Sequence, residues 1–204
     1  MSEKIFKNLN ALLAEQNAKF RVLEHEAAGT SQSVAKARGT HLGQGAKALV
    51  CLVKGITPAQ DGDESFLKIG EESVRLASNA PEILKLPADR PAPRNGRIYV
   101  LAVFPADHKA SLANLAAALG GTKASLTSEE ECAALTDCVV GSIPPFSFHD
   151  RLLLVCDEKL FGRFSEIAFN AGLLDRSIVL DVSDYRRVAN PLVINFAEQA
   201  ADPA

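Results

Sequence analysis

Two places in the chain hold residue types that could do chemistry beyond packing a core. The first is Lys47, one residue into the apolar run Ala46 to Val53 (AKALVCLV). A cation there must reach solvent along its methylene stem, pair, or face a ligand. Facing a cleft, its ammonium would meet a phosphate or a carbonyl oxygen. The second place is Gly141-Ser142-Ile143-Pro144-Pro145-Phe146-Ser147-Phe148-His149. The two prolines fix φ and remove two backbone donors, and the glycine permits close approach of backbone to a ligand. A loop this stiff could line a pocket and hold backbone N–H groups toward a developing oxyanion. A strand-to-strand turn would explain the same residues, and His149 suits a hydrogen-bonded structural histidine as readily as a catalyst. Asn170-Ala171-Gly172 reads as a turn first and a ligand contact second.

Other chemistries are excluded by pattern. The histidines are His25, His41, His108 and His149, with no HxxxH or HExxH spacing. The cysteines Cys51, Cys132, Cys138 and Cys156 form no CxxC pair, and two lie inside apolar runs. Buried free thiols are therefore expected, and no metal. There is no GxSxG and no P-loop. Gly43-Gln44-Gly45 is only GxG and precedes a strand, so a dinucleotide reading fails on context.

The elements that must position these residues follow from periodicity. Ile5, Phe6, Leu9, Leu12 and Leu13 fall at helical spacing, which predicts an amphipathic helix over 3–16. FRVLEH (20–25) alternates as a strand. Thr30-Ser31 caps a short helix ending at Gly39. Ala46–Val53 and Arg97–Phe104 (RIYVLAVF) read as buried strands. Ser111 caps a helix stopped by Gly120-Gly121. Ser128, with Glu131 at the capping-box position, opens another. Short strands are expected at 138–143, 152–156, 167–169 and 177–180, and a last helix from Ser183 to about Ala189. Helices and strands alternate irregularly, which points to one α+β domain with a mixed sheet.

At 204 residues a single domain is expected. Residues 56–96 break the pattern with five of the ten prolines and read as a surface excursion, in which SFLKIG and EESVRLAS could form a hairpin or a short helix. The composition, 47% hydrophobic and 23% charged, suits a globular core. No apolar run reaches the ~18 residues of a membrane span. The N-terminus opens an amphipathic stretch rather than an apolar signal core, so a cytoplasmic protein is expected. A net charge of −3 leaves nucleic-acid contact to a local patch, for which Lys36, Arg38, Lys47 and Lys54 are available.

Three segments together carry a resemblance: GTHLGQGAKALVCLVKG, VVGSIPPFSFH and EIAFNAGLLDRSIVL. They resemble the YbaK/prolyl-tRNA-synthetase-associated editing domain family over about 5–55 and 97–195. The family hydrolyses mischarged aminoacyl-tRNA, in trans or as an inserted synthetase domain. The resemblance implies an α+β fold with a mixed, mainly antiparallel, barrel-like sheet surrounded by helices. It implies that Lys47 is the essential lysine and that Gly141 to Pro145, with Ser142, Ile143 and Pro144 between, is the GxxxP pocket loop. Phe146, Ser147 and His149 continue that loop; Asn170, Gly172 and Ser177 match a further segment near the pocket. Residues 1–204 would form one editing domain, with 56–96 as an insertion.

The implied function is trans-editing deacylation of tRNA bearing a small amino acid, with serine or threonine favoured and alanine next. The implied partners are the acceptor end of mischarged tRNA and, second to it, a synthetase, with no cofactor, metal or membrane. The competing expectation, from another class, is a non-catalytic module that binds tRNA or a synthetase.

Overall fold

The computed structural model describes residues 2–28, 30–60, 63–69, 72–75 and 96–200. The centre of the fold is the strand β6 (Arg97–Pro105). It is buried on both faces, and so its sequence is a continuous apolar run rather than an alternating one. Tyr99, Leu101 and Val103 point into one core; Ile98, Val100, Ala102 and Phe104 point into the other. This is the two-residue side-chain period of a strand used twice.

Among the described residues, five strands form the main sheet, in the order β12 (Leu192–Ile194), β9 (Leu152–Asp157), β6, β2 (Ala46–Lys54) and β8 (Lys123–Leu126). The pairings of β2 with β6 and β8 are antiparallel; those of β9 with β6 and β12 are parallel. In register, Lys47 lies opposite Phe104. A second sheet holds β1 (Phe20–Glu24), β11 (Arg176–Asp181) and β10 (Glu166–Asn170), all antiparallel. A single parallel bridge, Gly45 to Ala168, joins the two sheets. The expected mixed, mainly antiparallel sheet is present, but its strands do not close into a barrel among the described residues.

Helices cover both faces. The α1 helix (Ser2–Glu15) buries Ile5, Leu9, Leu12 and Leu13. That core also takes Cys132 and Leu135 from α4 (Glu129–Thr136) and Tyr185 from α5 (Val182–Ala189). The opposite core takes Leu115, Ala116 and Leu119 from α3 (Leu112–Ala118) and the residue after it. Capping agrees with the sequence. Thr30 Oγ1 accepts from Ser33 N at the start of α2 (Ser31–Arg38), and Gly39 ends it with φ 68°. Ser128 and Glu131 form the capping box of α4. All four cysteines are free and buried.

The region 138–143, expected as a strand, is not one. Asp137 and Gly141 both have positive φ, at 57° and 88°. Ser142 N–H and its hydroxyl both turn back onto the Val139 carbonyl, at 3.1 and 2.9 Å. These bonds satisfy the backbone within a turn, leaving no extended segment to pair. Outside 56–96, four short strands went unforeseen: β8, β12 and the pair β7 (His108–Ala110) and β13 (Ala197–Gln199). Within 56–96, β3 (Pro58–Gln60), also unforeseen, β4 (Asp63–Ile69) and β5 (Glu72–Arg75) pair antiparallel, the last two as the hairpin considered for SFLKIG and EESVRLAS. The rest of that stretch, 76–95 included, lies outside the described residues.

Candidate functional site

A cavity of about 540 Å³ opens where α2, the start of β2, the end of β10 and the Gly141 loop meet. Its wall is built from small residues, Ala27, Ala28, Ala35, Gly45, Ala46, Ala48, Ala106 and Gly141 among them. Small side chains leave room next to backbone, and this is why a cavity persists here between two packed sheets. Val140 and Leu174, both exposed, form an apolar rim.

Lys47 stands on this wall, exposed, its Nζ 5.4 Å from the ring centre of Phe104. Phe104 itself is buried, so the stem lies on apolar surface while the charged end stays available. No ion pair or hydrogen bond holds that amine among the described residues. Arg38, half-buried at the end of α2, is the other cation of the wall. Among the described residues, no carboxylate and no imidazole lines the cavity. It is a positive pocket with an apolar rim and, among the described residues, without an acid or general base on its wall.

The strand leading to Lys47 is held from below. His41 Nδ1 accepts from Gly43 N at 3.0 Å and caps the turn Leu42–Gln44. Asp107 and Arg163 pair over that turn, with Nη1–Oδ1 3.1 Å and Nη2–Oδ2 2.5 Å. A Cβ at Gly43 would meet Asp107 Oδ2 at 2.7 Å and Arg163 Nη2 at 2.8 Å, so the pair would have to shift to admit a side chain there. Arg163, with His108 second, holds the Asp107 carboxyl down at about 2 against a partial opposing effect of burial.

The expected site residues divide. Lys47, Gly141, Ile143 and Asn170 are brought together on the cavity wall. Ser142 is buried in the loop's own turn, and its carbonyl receives Gly172 N–H at 2.8 Å. Ser177 is fully buried behind Asn170. Pro144, Pro145, Phe146, Ser147 and His149 are buried and do not line the cavity. Phe146 packs against Phe148, Phe169 and Tyr185. Ser147 Oγ lies within hydrogen-bond reach of the Leu152 carbonyl (2.6 Å) and the His149 carbonyl (3.2 Å), and His149 Nδ1 accepts from Arg151 N at 3.1 Å. Tyr185 OH donates to the Pro145 carbonyl at 2.9 Å and therefore accepts from the Cys156 thiol at 3.0 Å. These residues hold the loop from inside.

The proposed basic cluster does not assemble. Lys54 sits at the far end of β2, seven residues from Lys47, which at the rise of a strand is roughly 23 Å. The wall residues of α2, Thr30, Ser31, Val34 and Ala35, were not foreseen. The only available signal was the small, weakly apolar face of that helix, and sequence does not say what such a face covers. Among the described residues no group of His, Cys, Asp and Glu could hold a metal, and no helix is long and apolar enough to cross a membrane.

The mixed α+β fold agrees with an aminoacyl-tRNA editing domain, and the chain belongs to that family. The family's profile matches residues 88–188. The multifunctional Ser/Thr-tRNA deacylase ProXp-y of Escherichia coli K12 is 44% identical over 194 residues, covering 95% of this chain and 93% of that protein. Its counterpart in E. coli O157:H7 matches equally. Among solved structures, a proposed trans-editing enzyme for prolyl-tRNA synthetase has TM-score 0.65 at 17% identity, over 95% of this chain and 97% of that one. A hypothetical protein has TM-score 0.65 at 15% identity, over 94% and 99%. These two share the fold.

Proposed function

We propose that this chain is a trans-acting aminoacyl-tRNA deacylase. It hydrolyses the ester of tRNA mischarged with serine or threonine, and next with alanine. The observation that carries the reading is the shared wall: Lys47 and the Gly141 loop line one cavity that, among the described residues, holds cations and no acids. The named activity of the 44%-identical relative supports the choice of serine and threonine. Such an enzyme answers a physical limit, because a pocket distinguishes substrates differing by one methylene by only ~1–3 kcal/mol.

The chemistry asks for little. Water adds to the ester carbonyl carbon, the tetrahedral oxyanion collapses, and the ribose oxygen leaves with a proton; free amino acid and tRNA result. With no base among the described residues of the wall, the ribose hydroxyl beside the ester is the group placed to assist the water. Lys47 holds the terminal phosphate or the substrate carbonyl. In the loop, Pro144 and Pro145 have no N–H, and the Ser142 N–H is committed to Val139. Gly141 and Ile143 therefore remain as the loop's donors to an oxyanion. Asn170 and the loop bound the amino acid. Pro144 to His149 and Ser177 act from behind the wall.

We take residues 1–204 as one editing unit with an insertion at 56–96. It would work in the cytoplasm, where tRNA is charged, with the acceptor end as partner and a synthetase as a second. The test is deacylation of Ser-, Thr-, Ala-, Cys- and Pro-tRNA, matched and mismatched, by wild type and Lys47→Ala. Lysine-dependent loss of one or two small amino acids is expected. Binding of tRNA without turnover of any of them would replace the reading with the non-catalytic module.

A further inference from the structure

Arg38 is the second described cation of the cavity wall, and its bonds go to Asn170 on that wall and to Ser177 and the Ala168 carbonyl behind it. Nε donates to Ser177 Oγ at 2.8 Å and Nη2 to Asn170 Oδ1 at 2.7 Å, while Nη1 reaches toward the Ala168 carbonyl at 3.4 Å. No described carboxylate lies within ion-pair distance of it. A half-buried guanidinium without a counter-charge gives up hydration for nothing but these neutral acceptors. Desolvation accordingly brings it down to about 10. Stability alone is a poor account of such a residue.

Its geometry has a directional consequence. A guanidinium has donors only, so the Asn170 atom facing it must be the amide oxygen. The Asn170 NH₂ is then turned the other way, where it donates to the Gly141 carbonyl at 2.7 Å. One residue on, the Ser142 carbonyl is taken by Gly172 N–H at 2.8 Å. Two consecutive carbonyls of the pocket loop are thus held by the end of β10 and the turn after it, and Arg38 sets which way the first of these grips faces.

Behind Asn170 the bonds continue. His25 Nδ1 faces the Glu26 carbonyl at 2.9 Å, an acceptor only, so this nitrogen carries a proton. His25 Nε2 then lies 2.6 Å from Ser177 Oγ, which also stands 3.1 Å from Asn170 Oδ1.

We propose that Arg38 is a positioning residue: through Asn170 it fixes the Gly141 carbonyl, and so holds the pocket loop in the shape that receives the scissile ester. It is not a contact to tRNA phosphate. A planar fork spans Ser177 and Asn170 at once, and a lysine's point charge does not. The proposal rests on the deacylase reading.

The experiment compares wild type, Arg38→Lys, Arg38→Met, Asn170→Ala and the double variant Arg38→Lys/Asn170→Ala. Single-turnover deacylation of mischarged Ser-tRNA and Thr-tRNA is measured, with tRNA affinity at several salt concentrations and the Ser142 backbone amide signal in ¹⁵N-labelled protein. Arg38→Lys keeps the charge and guards against a Met variant that does not fold. The rate at saturation should fall about tenfold to a hundredfold in Arg38→Lys. KM and the salt dependence of binding should stay within twofold of wild type. The double variant should be no slower than the worse single one, and the Ser142 amide should shift in both single variants. An unchanged rate in a folded Arg38→Lys overturns the proposal. So does a raised KM with a shallower salt slope, which would make Arg38 a phosphate contact. If wild type turns over no aminoacyl-tRNA, the deacylase reading fails, and the amide decides alone: a shift shared by Arg38→Lys and Asn170→Ala keeps the positioning role, and an unmoved signal ends it.

Discussion

Two residues that look equally promising in the sequence separate once their surroundings are known. Lys47 is exposed on a cavity wall and makes no ion pair among the described residues, so little of the fold depends on its charge. Lys47→Met should fold with an unchanged midpoint of urea unfolding and lose about a hundredfold or more in deacylation rate. Retained activity would remove it from the mechanism. Ser147 is the reverse case. It is buried, and its hydroxyl lies within 2.6 Å of the Leu152 carbonyl. Ser147→Ala removes a buried hydrogen bond, at a cost of about 0.5–1.5 kcal/mol. Its urea midpoint should drop while the single-turnover rate stays within about twofold, and a rate loss without a stability loss would return Ser147 to the substrate. Sequence presents both as polar residues in apolar company; only burial tells them apart.

At the scale of elements, the site depends on a turn held by a pair remote in sequence. The Leu42–Gln44 turn, which aims β2 and Lys47, lies under the Asp107–Arg163 pair. The Asp107 carboxyl ionises at about 2, against an ordinary 3.8, chiefly because Arg163 bonds its charged form. A lowered carboxyl favours the folded state once the unfolded chain's carboxyl is ionised, above about pH 4. That advantage fades as pH falls through about 2. The shift corresponds to about 2 kcal/mol at neutral pH, with the pair only partly exposed. Arg163→Met should therefore lose stability at pH 7 and only about a third as much at pH 2.5, measured by urea unfolding at both. An equal loss at the two pH values would mean that packing of the Arg163 stem, not charge, holds the turn.

The same scale explains what was legible in the sequence. The caps of α2 and α4 and the buried strands β2, β6 and β9 rest on contacts a few residues apart or on simple periodicity. The 138–143 turn and the α2 wall were not legible. The first needs positive φ at Asp137, and the second needs to know that α2 lies over β10. Lys47 and the glycine–proline loop stood out as anomalies of type and spacing. That Arg38 belongs with them rather than with Lys36 and Lys54 is a matter of tertiary placement.

For the molecule as a whole, charge limits how it can hold an RNA. The chain carries a net charge of −3, and the 56–96 stretch contributes no basic arm, being acidic on balance. With Arg38 turned inward and Lys54 at the far end of β2, Lys47 is left as the described cation on the cavity wall that is placed to meet phosphate. Each phosphate neutralised on a single-stranded end contributes a slope of about −0.7 to log affinity against log salt. One or two such contacts give a slope no steeper than about −1.5. Affinity for mischarged tRNA should then fall by less than about tenfold between 50 and 200 mM salt, as read by filter binding. Lys47→Met should flatten that slope by about 0.7. A slope of −5 or steeper would place several phosphates on a basic face elsewhere, and Lys36→Ala and Lys54→Ala would then be the variants that change it. A shallow slope has a consequence for selection. An enzyme that grips the tRNA body weakly must distinguish its substrates at the ester end, so its choice among charged tRNAs follows the amino acid in the cavity.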